Sequence, residues 1–337
     1  MRESYIFELS GEHESIPKAE VIACLEAQDA DYEIEFEDKG ILVVGGEKID
    51  IFELQKRLAL THGIDVKYLI RQINELSNRE QELEIGEGTF AVRARRIQSQ
   101  HQELNIKELE KQIADMVKKD NVVDLENHEI EIRVIVSDRC YIGKNLVKID
   151  RSAFEERKVA NRPYFSPVSL HPRLARALVN LSRVKLGQTL LDPFCGTGGI
   201  LIEASFIGAH PIGSDVDSRM VTGCRQNLEN LGMGEIHLFE ADISDVRNNV
   251  EHVDAIATDP PYGKAATTKR EELSSLYQRT FETFSELLVK GGYAAVVLPD
   301  EESKELGEEH LVLKESYAMK VHRSLTRHFC VFRKETE

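Results

Sequence analysis

The stretch Thr189–Ser205, TLLDPFCGTGGILIEAS, decides how the second half of this chain folds. TLLDPF reads as a buried strand and ILIEAS as an apolar helix. Cys195-Gly196-Thr197-Gly198-Gly199 lies between them. A strand that turns at once into a helix needs residues without a β-carbon at the turn. The same absence lets a ligand lie against the backbone. Many α/β turns carry glycines, so the loop alone is weak evidence. It lacks the full GxGxxG spacing and the GK[ST] ending of a phosphate loop. That points away from a dinucleotide or ATP and toward a ligand without a pyrophosphate.

Outward from this loop, helix and buried strand alternate from Leu170 on, the mark of a parallel α/β sheet. HPRLARALVNLSRV reads as a helix. TLLDPF, PIGSDV, IHLFEAD, DAIATDPPY and YAAVVLPD read as five strands, and VLKESYAMKVHRSLTRHFCVFRK as two more around a loop. Seven strands, the last antiparallel, make a doubly wound, Rossmann-like sheet. The first half reads as α+β. Residues 4–9 alternate like a strand, and 17–28 open with Pro17 and continue at helical spacing. YEIEFED and GILVVGGE are short strands, 49–60 a helix, and HGIDVKYLIRQI a strand. This β-α-β-β-α-β order is ferredoxin-like. A second cycle follows: strand 88–97 with Val92 and Ala94 opposite Arg93 and Arg95, amphipathic helix 105–119, and two strands in 129–147. Residues 148–167, charged and bearing Pro163 and Pro167, suit a partly extended connector. The expected domains are 1–75, ferredoxin-like; 76–150, a second α+β domain; 151–168, a linker; and 169–337, the parallel α/β domain.

Three aspartates sit where open α/β sheets bind ligands, at the carboxyl ends of strands. Asp192 precedes the glycines and suits the positively charged end of a cofactor. Asp215 ends PIGSD and suits both ribose hydroxyls. Asp242, in EADIS, suits an adenine amine. Each alone also fits a helix cap. Asp217 is a second candidate for the ribose, and an N-cap role fits it equally. Asp259-Pro260-Pro261-Tyr262 follows the strand DAIAT and precedes Gly263. An exocyclic amine on an aromatic base is a poor nucleophile, because its lone pair is delocalised into the ring. A site helps by accepting hydrogen bonds from its N–H groups. Asp259 supplies one acceptor and the Pro260 carbonyl another, held rigidly by the prolines. Tyr262 can stack on a base swung out of its helix. The bland alternative is a strand-ending Asp-Pro turn with a core tyrosine.

Composition bounds the partners. The 337 residues are 41 % apolar, enough for sizeable cores. No run of about 18 apolar residues occurs, so no membrane span is expected. The first residues lack the basic-then-apolar form of a signal peptide. Five cysteines without a CxxC pair argue against a disulfide framework or a zinc site, so a cytoplasmic protein without a metal is expected. Cys195 reads as a small packing residue, with no histidine beside it to activate a thiol. The formal charge of −16 disfavours nucleic acid on its face. Between Arg133 and Lys185, however, twelve Lys/Arg face four Asp/Glu, a local +8 that leaves −24 elsewhere. Such a segment fits a localised phosphate contact.

DPFCGTGGILIEA, GSDVD and TDPPYG, with SLHPRLARALVNLS and VHRSLTRHF, resemble the archaeal tRNA guanosine-10 N2-methyltransferases over residues 140–337. GTFAVRARRI and CYIGKNLV resemble an RNA-binding THUMP domain, more loosely, behind a small ferredoxin-like domain. The resemblance implies S-adenosylmethionine as cofactor and one or two methyl groups placed on the guanine amine of tRNA. It implies that Asp192, Gly196, Thr197 and Gly198 form the first cofactor motif, Asp215 the ribose motif and Asp242 the adenine motif. Asp259, Pro260, Pro261 and Tyr262 form the catalytic one. It further implies that Arg93, Arg95, Arg96, Lys144, Lys148, Arg157 and Lys158 contact tRNA phosphates, which position RNA without reading sequence. His322, Arg323 and Arg327 either flank the base pocket or form a surface turn. The partner expected is tRNA, with room for a small activating subunit on an otherwise monomeric chain, and no membrane. The rivals are a related enzyme acting on another tRNA position or on ribosomal RNA, a protein glutamine methyltransferase, and an inactive RNA-binding protein. Asp at position 259, rather than Asn, counts against the second. The intact aspartates count against the third.

Overall fold

The computed structural model describes residues 2–75, 82–97, 101–118, 120–166, 169–262, 273–322 and 325–336. Pro167, Gly263 and Arg323 lie outside the described residues. Contacts group Met1–Lys18, Gln28–Lys56 and Leu60–Asp150 into one unit, and Ala19–Ala27, Arg57–Ala59 and Arg151–Glu337 into a second.

The chain begins β1 (Glu3–Leu9), α1 (Ile16–Ala27), β2 (Asp31–Asp38), β3 (Ile41–Glu47), α2 (Ile51–Arg57) and β4 (Thr61–Arg71). It continues β5 (Thr89–Arg96), α3 (Ile106–Ala114), β6 (Val122–Val123), β7 (Ile130–Val136) and β8 (Cys140–Lys148). The first four strands take the ferredoxin-like order β2-β3-β1-β4, and the sheet then runs on through β8-β7-β5-β6. The two α+β regions expected from the sequence therefore share one eight-stranded sheet. The join is the antiparallel ladder of β4 on β8, from Gly63↔Lys148 to Arg71↔Cys140. Ile6, Ile41 and Val43 pack in one cluster with Ile97, Ile135 and Tyr141, so the core crosses the join as well. Helix α3 is capped by the Asn105 side chain, which accepts from the N–H groups of Lys107 and Glu108. It ends at Ala114, short of the expected 119. Val117 leaves the helix to make a parallel bridge with Leu83.

The second half contains α4 (Ser152–Glu156), α5 (Pro172–Leu181), β9 (Thr189–Asp192), α6 (Gly199–Phe206), β10 (His210–Asp215), α7 (Ser218–Asn230), β11 (His237–Glu240) and β12 (Val253–Thr258). It ends with α8 (Leu273–Leu287), β13 (Leu288–Leu298), α9 (Glu301–Glu308), β14 (Val312–His322) and β15 (Leu325–Arg333). The expected connector is thus partly helical. Helix α5 starts where His171 accepts from the Arg173 N–H and Pro172 enters the first turn. The sheet order is β11-β10-β9-β12-β13-β15-β14, with β15 antiparallel to both its neighbours. Strand order reverses between β10-β9 and β9-β12, so a crevice opens there at the carboxyl ends. Helix α8 anchors this half: Phe281 and Phe284 are fully buried against Phe332, Val296 and Leu288. Burying each such ring is worth about 1.5–3 kcal/mol.

Candidate active site

A cavity of about 490 Å³ occupies that crevice. Asp192, Gly196, Thr197, Asp215, Asp242, Asp259, Pro260, Pro261 and Tyr262 all line it. Each comes from a strand end: Asp192 closes β9, Asp215 closes β10, Asp242 follows β11 and Asp259 follows β12. Gly198 does not line the cavity. It sits at the N-cap of α6 with φ +84, and a β-carbon there would meet the Cys224 sulfur at 2.6 Å. Gly196 has φ +48 and nothing within 4 Å of where a β-carbon would go. The first glycine keeps the cavity open and the second lets the turn close.

Hydrogen bonds fix the loop. The Gly196 N–H donates to Asp215 Oδ2 at 3.0 Å, and the Asp217 N–H to Asp215 Oδ1 at 2.9 Å. The Cys195 N–H donates to the Ser214 carbonyl at 2.9 Å. Buried Asn227, from α7, donates to the carbonyls of Thr197 and Tyr164 at 2.9 and 3.1 Å. Cys195 itself is buried with Cys224, Leu201 and Leu228, a packing position. Asp217 caps α7 by accepting from the Arg219 N–H at 2.9 Å, so its capping role is realised. Asp242 also caps, accepting from the Ser244 N–H at 3.1 Å, and pairs with Arg279 of α8.

The electrostatics are those of a cation site. Asp192 is 1 % exposed, with Thr258 Oγ1 donating to its Oδ1 at 2.6 Å and the Phe194 N–H at 3.2 Å. Burial, aided by the charges of Asp215 and Asp259, pushes its pKa up to about 7. Burial also raises Asp215. Asp259 is pushed up to about 7 by burial, against the lowering pull of Arg327. Its Oδ1 is buried and has no hydrogen-bond partner among the described residues. A buried acceptor left open is costly, and a ligand donor is what would satisfy it. Among the described residues no group of His, Cys, Asp and Glu could hold a metal ion. Clustered carboxylates beside glycines fit a ligand with a positive charge and hydroxyl or amine donors.

Four further residues shape the site. Tyr277 of α8 donates its hydroxyl to the Pro261 carbonyl at 3.2 Å, and Arg327 of β15 donates through Nε to the Tyr262 hydroxyl. Ser166 and Ser169 also line the cavity, Ser169 Oγ lying 3.5 Å from Thr197 Oγ1.

Residues 160–328 match the UPF0020 family (RMKL-like, methyltransferase domain). The tRNA (guanine(10)-N2)-dimethyltransferase of Methanothermobacter thermautotrophicus is 37 % identical over 328 residues, 95 % of this chain and 96 % of its own. The chain belongs to the family of the archaeal tRNA (guanine(10)-N2)-dimethyltransferases. The relative of that name from Pyrococcus abyssi is 34 % identical over 86 % of this chain and 88 % of its own. TrmN from Thermus thermophilus shares the fold of this family member, with a TM-score of 0.53 at 22 % identity over 98 % of this chain and 99 % of its own. SMU.472, complexed with SAH, superposes with a TM-score of 0.50 at 17 % identity over 99 % and 98 %. Residues 72–144 match the THUMP domain.

Within the first unit, Arg93, Arg95 and Lys148 line a second recess of about 460 Å³ with His62 and Arg133. Arg93 donates to the Leu125 carbonyl at 2.6 Å, Arg95 pairs with Glu8, and Lys148 pairs with Glu131 at 2.9 Å. Lys144, on β8, and Arg96 do not line it. Arg96 instead binds the carbonyls of His101 and Leu104. In the second unit, Lys158 pairs with Glu155 at 3.2 Å. Arg157 departs from the expectation of a phosphate contact. Its guanidinium lies between Phe154 and Phe206 and pairs with fully buried Glu203 at 2.7 Å. Much of the local +8 is internal in the same way: Arg133 pairs with Glu8 and Asp65, Arg176 with Glu203, and Arg183 with Glu26 and Glu315. Formal charge counted along the sequence does not separate these buried pairs from surface cations.

Proposed function

We propose that this chain is the enzyme that methylates the exocyclic N2 amine of guanosine 10 in tRNA, giving N2-methyl- and then N2,N2-dimethylguanosine. The observation that carries the reading is the open acceptor Asp259 Oδ1, next to Pro260 on the wall of a cavity also lined by Asp192, Asp215 and Asp242. S-adenosylmethionine, when bound, supplies a methyl group on a sulfonium. Asp192 would hold its ammonium, Asp215 its ribose hydroxyls and Asp242 its adenine amine. Gly196 leaves the backbone accessible, and four carboxylates offset the two positive charges.

The remaining chemistry belongs to the chain. The guanine is swung out of its helix, and Tyr262 stacks on it for about 1–3 kcal/mol. Asp259 and the Pro260 carbonyl accept the two N–H bonds and draw the nitrogen toward a tetrahedral shape, so its lone pair leaves the ring. Once the nitrogen carries an extra methyl, Asp259 Oδ1 is placed to take the proton it sheds. A monomethylated amine still has one N–H for Asp259, which allows a second round.

The phosphate contacts are assigned to Arg93, Arg95, Lys144, Lys148 and Lys158. The chain is read as cytoplasmic and monomeric; no helix among its described residues is long and apolar enough to cross a membrane. Mass mapping of tRNA nucleosides after incubation with the purified chain and labelled cofactor tests the whole. Methyl on the guanosine-10 amine is expected. Label confined to another nucleoside, or to ribosomal RNA, overturns the assignment, and label appearing only with cell extract implies an activating subunit.

A further inference from the structure

Two prolines fix the backbone of the catalytic turn, but they do not orient the Tyr262 ring or set the charge state of Asp259. Tyr277 braces the turn at the Pro261 carbonyl. It touches neither of those side chains by a hydrogen bond. Arg327 bonds to Tyr262, three residues on from Asp259 in the same cavity wall, and its charge acts on Asp259. It stands on β15, opposite Met319 of β14, and its Nε donates to the Tyr262 hydroxyl. The guanidinium carbon is 5.6 Å from the centre of the Tyr262 ring, within range of a cation–π contact. Among the described residues, the titratable groups that face Asp259 are Asp192, Tyr262, Tyr277 and Arg327. Arg327 is the cation of that set.

We propose that Arg327 is a positioning residue for methyl transfer, holding the Tyr262 ring by its hydroxyl and facing its charge to the Asp259 carboxylate. This rests on the functional reading above. An ionised carboxylate accepts the amine's N–H more strongly than a protonated one, and the base must be stacked in register for that bond to form. Arg327 serves both needs from a strand 65 residues beyond Tyr262. A guanidinium suits the task better than an ammonium, because its planar fork can lie against a ring while one N–H reaches the hydroxyl.

The test compares wild type, Arg327→Met, Arg327→Lys and Tyr262→Phe in steady-state methylation of tRNA across pH, with cofactor affinity measured by calorimetry. In Arg327→Met, kcat should fall ~10- to 100-fold, the size of loss expected when a reacting group is misplaced by about 1 Å. Cofactor affinity should be unchanged and KM for tRNA should move far less than kcat. Because the cation lowers the Asp259 pKa, removing it should shift the rise of kcat/KM to higher pH. Arg327→Lys keeps the charge and should restore the wild-type pH profile while leaving kcat depressed. Tyr262→Phe removes the anchor but not the ring, and should lower kcat without moving the profile. If Arg327→Met melts early, the lysine and phenylalanine variants still decide: wild-type kcat in both overturns the proposal. An active wild type with an unshifted Arg327→Met profile overturns it too. A wild type that transfers no methyl to guanine amines would instead sink the functional reading on which it rests.

Discussion

Thr258 is the residue on which the cofactor end of the site turns. It lies next to Asp259 in sequence, yet its hydroxyl serves Asp192, at 2.6 Å inside the core. Asp192 must be ionised to hold an ammonium, and its pKa is already raised to about 7 by burial. Thr258 opposes that rise. Thr258→Val should therefore push the pKa further up and leave the carboxyl protonated at neutrality. Losing a hydrogen bond to a charged group costs about 1.5–3 kcal/mol, so cofactor affinity near pH 7 should drop roughly tenfold or more. The deficit should shrink by about pH 9 as the carboxyl ionises, and calorimetric titration at both values reads it. An equal deficit at both would mean that Thr258 acts through shape. Asp259 yields a second prediction, with the sign running through stability. Its folded pKa, about 7, lies above the unfolded value, so its contribution to stability is present below about pH 4 and lost as pH rises through 7. Asp259→Asn should abolish methyl transfer while raising the melting temperature, and the gain should grow from about pH 5 to about pH 8. A variant that melts lower than wild type at every pH would show that Asp259 is a structural residue.

At the scale of elements, the turn from β9 into α6 separates two glycines that look alike in sequence. Gly198 carries φ +84, and its missing β-carbon is the space filled by the sulfur of fully buried Cys224. Gly198→Ala should cost about 1–3 kcal/mol from overpacking alone, and lower the melting temperature clearly. Gly196→Ala meets no neighbour and carries only the strain of an alanine at φ +48, so it should lose less melting temperature than Gly198→Ala and lose cofactor affinity as well. Equal melting losses in both would remove this distinction. The same turn shows what was legible beforehand. Strand, glycines and helix were readable from apolar runs and the backbone freedom of glycine, and the strand-end aspartates from the rule that places ligands there. The join of β4 to β8 was not, because pairing between edge strands is fixed by packing and leaves no local pattern. The end of α3 at Ala114 was not, because the apolar spacing continues into Met116 and Val117, which are buried without being helical. Thr258, Tyr277 and Arg279 were not assigned roles, since each meets its partner through the tertiary fold; Arg327 was read as flanking the base pocket or lying in a surface turn, and only the tertiary fold pairs it with Tyr262. Asp217 and Asp242 were ambiguous for a real reason: a strand-end aspartate that precedes a helix can cap it and still face a ligand.

For the whole molecule the question is where positive charge reaches solvent in a chain of net charge −16. The basic segment from Arg133 to Lys185 does not answer it, since Arg133, Arg157, Arg176 and Arg183 are held in ion pairs with largely buried side chains. Exposed Arg93 and half-exposed Arg95 are better placed for RNA. Removing one cation from a phosphate should flatten the log–log salt dependence by about 0.9 on duplex RNA-like targets, so Arg93→Gln with Arg95→Gln should reduce the slope by about two. Arg95→Gln removes one of the two arginines on fully buried Glu8 and leaves Arg133, so the double variant should melt below wild type, and its slope is read well below that melt. Arg157→Ala is the counterpart. It strands a carboxylate that is fully buried, and even with Arg176 still beside Glu203, loss of one partner of a buried pair costs up to about 3–5 kcal/mol. The melting temperature should fall, while the salt slope of tRNA binding, measured well below the melt, should stay at the wild-type value. Filter binding from about 50 to 300 mM salt, with a thermal melt of each variant, reads both quantities. A flattened slope in Arg157→Ala would return that guanidinium to the RNA interface. An unchanged slope in the double variant would mean that the phosphates are held by cations other than Arg93 and Arg95.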